Sequence, residues 1–396
     1  MGQGQIPMFH DAGKTPLIKL LAVFIAVGLF AYPCSASEPV PVTGDALFLG
    51  YDPDADAGEN ISGAICFDDH QCILVADEML AIQKISLFAA DEMPTYQAGP
   101  TFGQFFGDHC TDISKKKACD EVDLEAIARN GRYILVTGSM GNKRKSGKRA
   151  KERWFLAQFL LNTNGKPHQG SLRVQSKRGL LMQLFGKHST LQPYLEKPLQ
   201  CGGLNIEGLA TLGDQIFFGL RSPSGRDEGQ AYVVQSPDSI LTAPTKQQVE
   251  PTHLHVLNFK ASDGKPLPHV GIRSLETLGN RLLIVTADAG VSKPGSRKRR
   301  DDMIARCASV PKGKNLSNIA GDAPLTPRLW IWDPAKANDP VEIAHLEGLY
   351  SDEKLEGIAV LGNPPSDAET VDLLLVIDGQ KDVPPLALLR GVPVPP

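Results

Sequence analysis

Aromatic residues make up only 6% of this 396-residue chain, and the formal net charge is just -4. That mild acidity gives no whole-protein attraction to nucleic acid, so nucleic acid is not an expected partner. No C-x-x-C pair and no Cys/His set with zinc spacing occurs, which removes the usual structural zinc sites. The G-x-S-x-G elbow, the H-E-x-x-H pair and the G-x-x-x-x-G-K-[ST] phosphate loop are all missing as well. The histidines outside the first residues show no metal spacing. His253 and His255 alternate on a strand and read as exposed or satisfied side chains, and Trp330 and Trp332 read as packing residues. No apolar run is long enough to span a bilayer comfortably; the longest N-terminal one goes from Leu20 to Tyr32.

That run has a role of its own. Lys14 and Lys19 flank its start, and Pro33 and the small-residue stretch CSASE follow it, which is the three-part layout of a secretory signal. Residues 1–37 are therefore expected to be a signal peptide, cleaved near Ala36 or Ser37. The mature chain would be periplasmic or secreted, with no stable membrane insertion after cleavage. Cysteine usage agrees. Of seven cysteines, Cys34 lies in the leader, and an even set remains: Cys66, Cys72, Cys110, Cys119, Cys201 and Cys307. In an exported chain such a set points to disulfides. The short spacings favour the local pairs 66/72 and 110/119, which leaves Cys201 with Cys307.

Glycine and proline are plentiful, at 38 and 30 residues, and favour short strands and turns over long helices. Those strands repeat. Five copies of one motif begin NISGAICF at 60, DLEAIARNG at 123, NIEGLATLG at 205, GIRSLETLG at 271 and KLEGIAVLG at 354. Each is followed by a second apolar run, and a tight Asn-Gly or Gly-Asp/Asn turn between two such runs reads as an antiparallel hairpin. Further strands follow every hairpin. A radial repeat of three or four strands describes a β-propeller blade. The expectation is an all-β β-propeller over 38–396 with five recognisable blades, room for a degenerate sixth and a short helical insertion. The strand ALFLGY, near residue 46, should complete the last blade and close the ring. The segment 180–197 has the helical look and is expected to decorate the second blade.

The segments DLEAIA…TGSMGNK, NIEGLA…GLRSP, GIRSLE and LEGIAV…IDG resemble an uncharacterised bacterial family, domain of unknown function 3616, over nearly all of the mature chain. More distantly, the repeated E-G-[IL]-A turn is similar to that of phytase-like esterases and of the senescence-marker/gluconolactonase propellers. Those relatives imply a propeller with a metal-binding central site. Ser62 and Arg273 break their carboxylate pattern in two copies.

The third residue of each copy is Ser62, Glu125, Glu207, Arg273 and Glu356 in turn. In a hairpin these lie beside the end of the second strand, which brings in Ser139, Arg221, Asp288 and Asp378. If the motif strand is innermost, all of them ring the channel mouth. Carboxylates gathered there repel unless a cation intervenes, either Arg273 or a bound Ca²⁺. The expected metal ligands are Glu125, Glu207 and Glu356. Arg221, Arg273, Ser139, Asp288 and Asp378 are the expected ligand-binding residues. Basic runs at 143–153, 297–300 and 115–117 would surround this funnel and attract anions. Two functions follow. One is a metal-dependent hydrolase of an anionic small molecule, a phosphoester or lactone, with Arg221 and Arg273 clamping the substrate and metal-bound water attacking. The alternative is a non-catalytic propeller scaffold that binds an anionic envelope polymer or a protein partner.

Overall fold

A computed structural model describes residues 47–48, 61–76, 81–86, 95–101, 123–143, 148–161, 168–225, 228–242, 252–289, 307, 325–336, 338–346, 354–378 and 386–396. The chain divides into two units, Met1–Ser37 and Glu38–Pro396, and the fold below is that of the second.

The fold is all-β in a propeller arrangement, made of four-stranded antiparallel sheets, five of them among the described residues. The first contains β2 (Ile61–Cys66), β3 (Gln71–Ala76), β4 (Ala81–Ser86) and β5 (Thr95–Thr101). The second contains β6 (Leu124–Asn130), β7 (Tyr133–Gly138), β8 (Leu156–Leu160) and β9 (Arg173–Gln175). The third runs through β10 (Asn205–Leu212), β11 (Gln215–Gly225), β12 (Gln230–Pro237) and β13 (His253–Asn258). In the fourth are β14 (Val270–Leu278), β15 (Arg281–Asp288), β16 (Arg328–Trp332) and β17 (Val341–His345). The last sheet is ordered β18 (Lys354–Val360), β19 (Thr370–Asp378), β20 (Leu386–Pro393) and then β1 (Leu47–Phe48), from the other end of the sequence. Leu47 pairs with Leu388 and Phe48 with Ala387, so the N-terminal strand does complete the last sheet.

The motif strand is the first of every sheet, and these five strands close a circle. β2 touches β6, β6 touches β10, β10 touches β14, β14 touches β18, and β18 returns to β2. Each sheet is therefore covered on both faces, which explains why its strands read as nearly continuous apolar runs instead of alternating ones. The buried residues fall into clusters between successive sheets. Ile65, Val75, Ile127 and Val136 join the first to the second, for example, and Val285, Ile331, Ile358 and Leu375 join the fourth to the fifth. Glycine at the fourth motif position lets neighbours approach. A Cβ added at Gly208 would stand 2.7 Å from Cγ of Leu275 on the next inner strand.

The helical insertion is Arg178–Gly186, followed by single turns at Gln192–Tyr194 and Leu199–Cys201. Its buried face, Leu180, Leu181, Leu184 and Phe185, joins a cluster containing Trp154 and Leu156 of the second-sheet region and Ile206, Phe218 and Tyr232 of the third. Phe185 meets Phe218 edge-on at 6.0 Å between ring centres. The segment thus seals the seam between two sheets, where decoration of the second alone was expected. It cannot stand by itself, because a nine-residue helix is too short to be stable without tertiary burial.

Disulfides join Cys66 to Cys72 and Cys201 to Cys307, and their presence fits a non-cytoplasmic protein. Cys110 and Cys119 lie outside the described residues. Among the described residues no helix is long and apolar enough to cross a membrane.

Candidate functional site at the channel mouth

Each first hairpin carries a slip in its ladder at the same place. The register shifts between Ile61 and Gly63, Leu124 and Ala126, Ile206 and Gly208, Ile272 and Ser274, and Leu355 and Gly357. The residue passed over is always the third of the motif: Ser62, Glu125, Glu207, Arg273 and Glu356. A β-bulge leaves its extra residue out of the ladder and re-aims the side chain. Five bulges on five strands arranged in a circle put these five side chains around one mouth of the channel.

Three of the five are tied together. Arg273 donates from Nη1 to Glu207 Oε2 at 2.9 Å and to Glu356 Oε1 and Oε2 at 3.1 and 2.9 Å. Its Nη2 donates to the backbone carbonyl of Asp288 at 3.1 Å. The other oxygen of Glu207, Oε1, accepts from Arg221 Nη1 at 2.5 Å and from Asn205 Nδ2 at 2.8 Å. Glu207, Arg221 and Arg273 are all buried. Burial alone would push the Glu207 carboxyl up, but Arg221 and Arg273 outweigh it and hold the group below the usual carboxylate range. The same competition, won by Glu207 and Glu356 over desolvation, holds the Arg273 guanidinium above its ordinary value. The result is a chain of alternating charge, Arg221–Glu207–Arg273–Glu356, spanning three sheets.

The remaining expected residues are distributed around it. Glu125 is the buried bulge residue of the second sheet. Ser139 is fully buried, and its Oγ accepts from the Gly141 N–H at 3.2 Å while its carbonyl accepts from the Ile206 N–H at 2.9 Å. It connects the second sheet to the third. Asp288 ends β15, in register with Val270 beside the Arg273 bulge. Asp378 pairs through its backbone with Lys354, and its side chain lies outside the described residues.

Two features escaped the sequence reading. Asn205, the first motif residue, is a direct partner of Glu207. Arg153, counted above among the rim cations, is instead buried and pairs with Asp123 at 2.8 Å. Asp123 itself has φ of 54°, a left-handed conformation that Asp tolerates better than most residues. The signal was available, because Asp123 and Asn205 share the first motif position.

A calcium ion takes about six to eight oxygen ligands. Both oxygens of Glu207 and both of Glu356 already accept from guanidinium groups, so these two carboxylates fit such an ion poorly. Among the described residues no group of three or more His, Cys, Asp or Glu side chains stands in an arrangement that could hold a metal.

The family model described as "Protein of unknown function (DUF3616)" matches residues 60–158 and 156–291. No curated protein matches the sequence. Among solved structures, the chain is similar to a glutaminyl cyclase from Myxococcus xanthus, with a TM-score of 0.37 and 10% identity over 85% of this chain and 92% of that one. It is also similar to a GH43 endo-arabinanase from Bacillus licheniformis, with a TM-score of 0.33 and 9% identity over 86% of this chain and 95% of that one.

Proposed function

The chain belongs to the DUF3616 family, and from that premise we propose that it is an exported, non-catalytic propeller whose rim binds an anionic envelope polymer or an acidic protein partner. Counting each four-stranded sheet as a blade gives five. The reading places residues 1–37 as a cleaved signal and the mature chain in the periplasm or outside the cell. The observation that carries it is the state of Glu207. This acid is the centre of the repeat-built ring, and Arg221, Asn205 and Arg273 already use both of its oxygens. The ring then works as an ion-paired hub that holds three sheets together, and binding falls to the surface around it. On that surface Lys148, Arg149 and Lys151 are exposed, although Arg149 lies 3.6 Å from Glu196. The runs at 115–117 and 297–300 lie outside the described residues.

The test is binding of long-chain polyphosphate and of dextran sulfate, by titration calorimetry at two salt concentrations. Salt-sensitive binding that disappears in a Lys148→Glu, Arg149→Glu, Lys151→Glu variant is expected, because each lost cation–anion contact removes released counterions. The hydrolase reading has its own arm. Calcium-dependent turnover of a phosphoester or lactone panel that Glu207→Gln abolishes would replace the scaffold with an enzyme.

A further inference from the structure

We propose that the opposite end of the channel is a second binding site, which takes a small aliphatic monocarboxylate between Arg129 and Glu276. The inner strands run from their bulges towards the hairpin turns, and the ends of four of them line an open cavity of about 280 Å³. Cys66 comes from the first sheet, Arg129 from the second, Glu276 and Thr277 from the fourth and Val360 from the fifth. Glu276 lies three residues beyond Arg273, which is roughly 10 Å along a strand, so this cavity is separate from the charged mouth.

Its walls hold an acid and a base that do not pair with each other. Arg129 is oriented by the Gly131 carbonyl, which accepts from its Nε at 2.9 Å, and by the Phe67 ring, 5.3 Å from its guanidinium carbon. Among the described residues those contacts leave its two terminal amino groups open, and the side chain lines the cavity. Among the described residues Glu276 meets no cation at contact distance. Burial pushes its carboxyl up to about 8, with a Thr277 backbone hydrogen bond and the more distant Arg129 pulling only weakly the other way. Near neutral pH it is mainly an O–H donor. A carboxylate placed between the two side chains would accept from both, and the charged donor makes the stronger bond.

The rest of the lining sets the size and the charge. Ile65, Leu278, Val360 and Pro364 offer apolar walls, which suits a short aliphatic body. Cys66 is in a disulfide and does not titrate. Asp69 stands at the edge, with an oxygen 2.7 Å from where a Cβ on Gly362 would lie, and its charge disfavours a second anionic group on the ligand.

Butyrate, butylamine and butanol make a matched set of probes. They would be titrated into the full mature protein and followed by saturation-transfer NMR at about pH 6.5 and about pH 9.5, either side of the Glu276 carboxyl. Butyrate is expected to bind at the lower pH with a dissociation constant of about 10 mM or tighter, in keeping with its few heavy atoms. Its affinity should fall at least about tenfold at the higher pH, where Glu276 loses its proton. Glu276→Gln keeps a donor and should retain binding with the pH dependence gone. Arg129→Met should lose binding while its thermal unfolding stays that of a folded protein. Binding of butylamine in place of butyrate overturns the proposal. So does pH-independent butyrate binding by the wild type, and so does no butyrate binding at either pH.

Discussion

Replacing Arg273 with methionine tests the hub most directly. The substitution keeps an unbranched apolar stem and removes the guanidinium, with its bond to the Asp288 carbonyl as well as its charge. In the native protein that one guanidinium satisfies Glu207 Oε2 and both oxygens of Glu356, with the Arg273 and Glu207 side chains only 5% and 3% exposed. Glu207 would keep Arg221 and Asn205, whereas Glu356 would lose both of its bonds to this guanidinium. Breaking a buried pair by deleting one partner costs about 3–5 kcal/mol. With an unfolding entropy of about 2.1 cal/mol/K per residue, a unit of this size should lose about 4–7 °C in melting temperature. The assay is denaturant unfolding of both proteins at two pH values.

The two pH values matter because the sign differs from a cavity effect. Glu207 is held below its ordinary value in the native state, so its contribution is present above the unfolded value and is lost as pH falls through the folded one. In the variant the Glu207 and Glu356 carboxyls, with this cation gone, move up and take protons first. The gap between the proteins should therefore shrink on acidification towards about pH 4. A double variant with Glu356→Gln should regain part of the loss at neutral pH. A cost under about 1 kcal/mol at neutral pH would refute the hub, because a buried pair should cost several times more. A gap that does not change between the two pH values would refute it equally.

Three further outcomes follow from the same structure. Glu276 has a raised folded value, so wild-type stability should decline as pH climbs from the unfolded value of 4.5 towards about 8, and Glu276→Gln should flatten that decline in denaturation midpoints. Replacing Cys201 and Cys307, 106 residues apart, with serine should cost about 5 kcal/mol by loop entropy, against about 2 kcal/mol for Cys66 and Cys72, 6 apart; unfolding of the two double-serine variants ranks them. Gly208→Ala should destabilise by about 1–3 kcal/mol through the Leu275 contact, read as a lower melting temperature with the circular dichroism spectrum unchanged.

The repeat is legible in the sequence because every sheet must begin in the same way, with an inner strand that fits against its neighbours. Gly63, Gly208 and Gly357 keep the fourth position small, and the third position stands out once the copies are aligned. The bulge behind that prominence is not legible. A bulge is a relation between two strands, and one strand's letters do not reveal which residue its partner skips. Partner choice around the ring was only half visible. Arg273 as the counter-charge could be read off the pattern, since it alone is basic among acids. Asn205 stands out at the first motif position beside Asp123 in the aligned copies, but its bond to Glu207 needed the side chains in place. Glu276 offers the sharper lesson. The sixth motif position reads Ala128, Ala210 and Ala359 in three copies and Glu276 in the fourth, so a carboxyl among alanines marks the second mouth. Attention fixed on the third position passes over it.

The pairing of β1 with β20 also has a consequence for how the protein is made. Synthesis delivers residues 47–48 long before 386–393, yet these two strands lie side by side in one sheet. β1 thus has no partner in this sheet until β20 exists, and a product truncated before β20 leaves the sheet unfinished with its neighbours' apolar faces uncovered. Completion of the last sheet acts as a length check on the polypeptide: only a chain made through β20 can fasten β1.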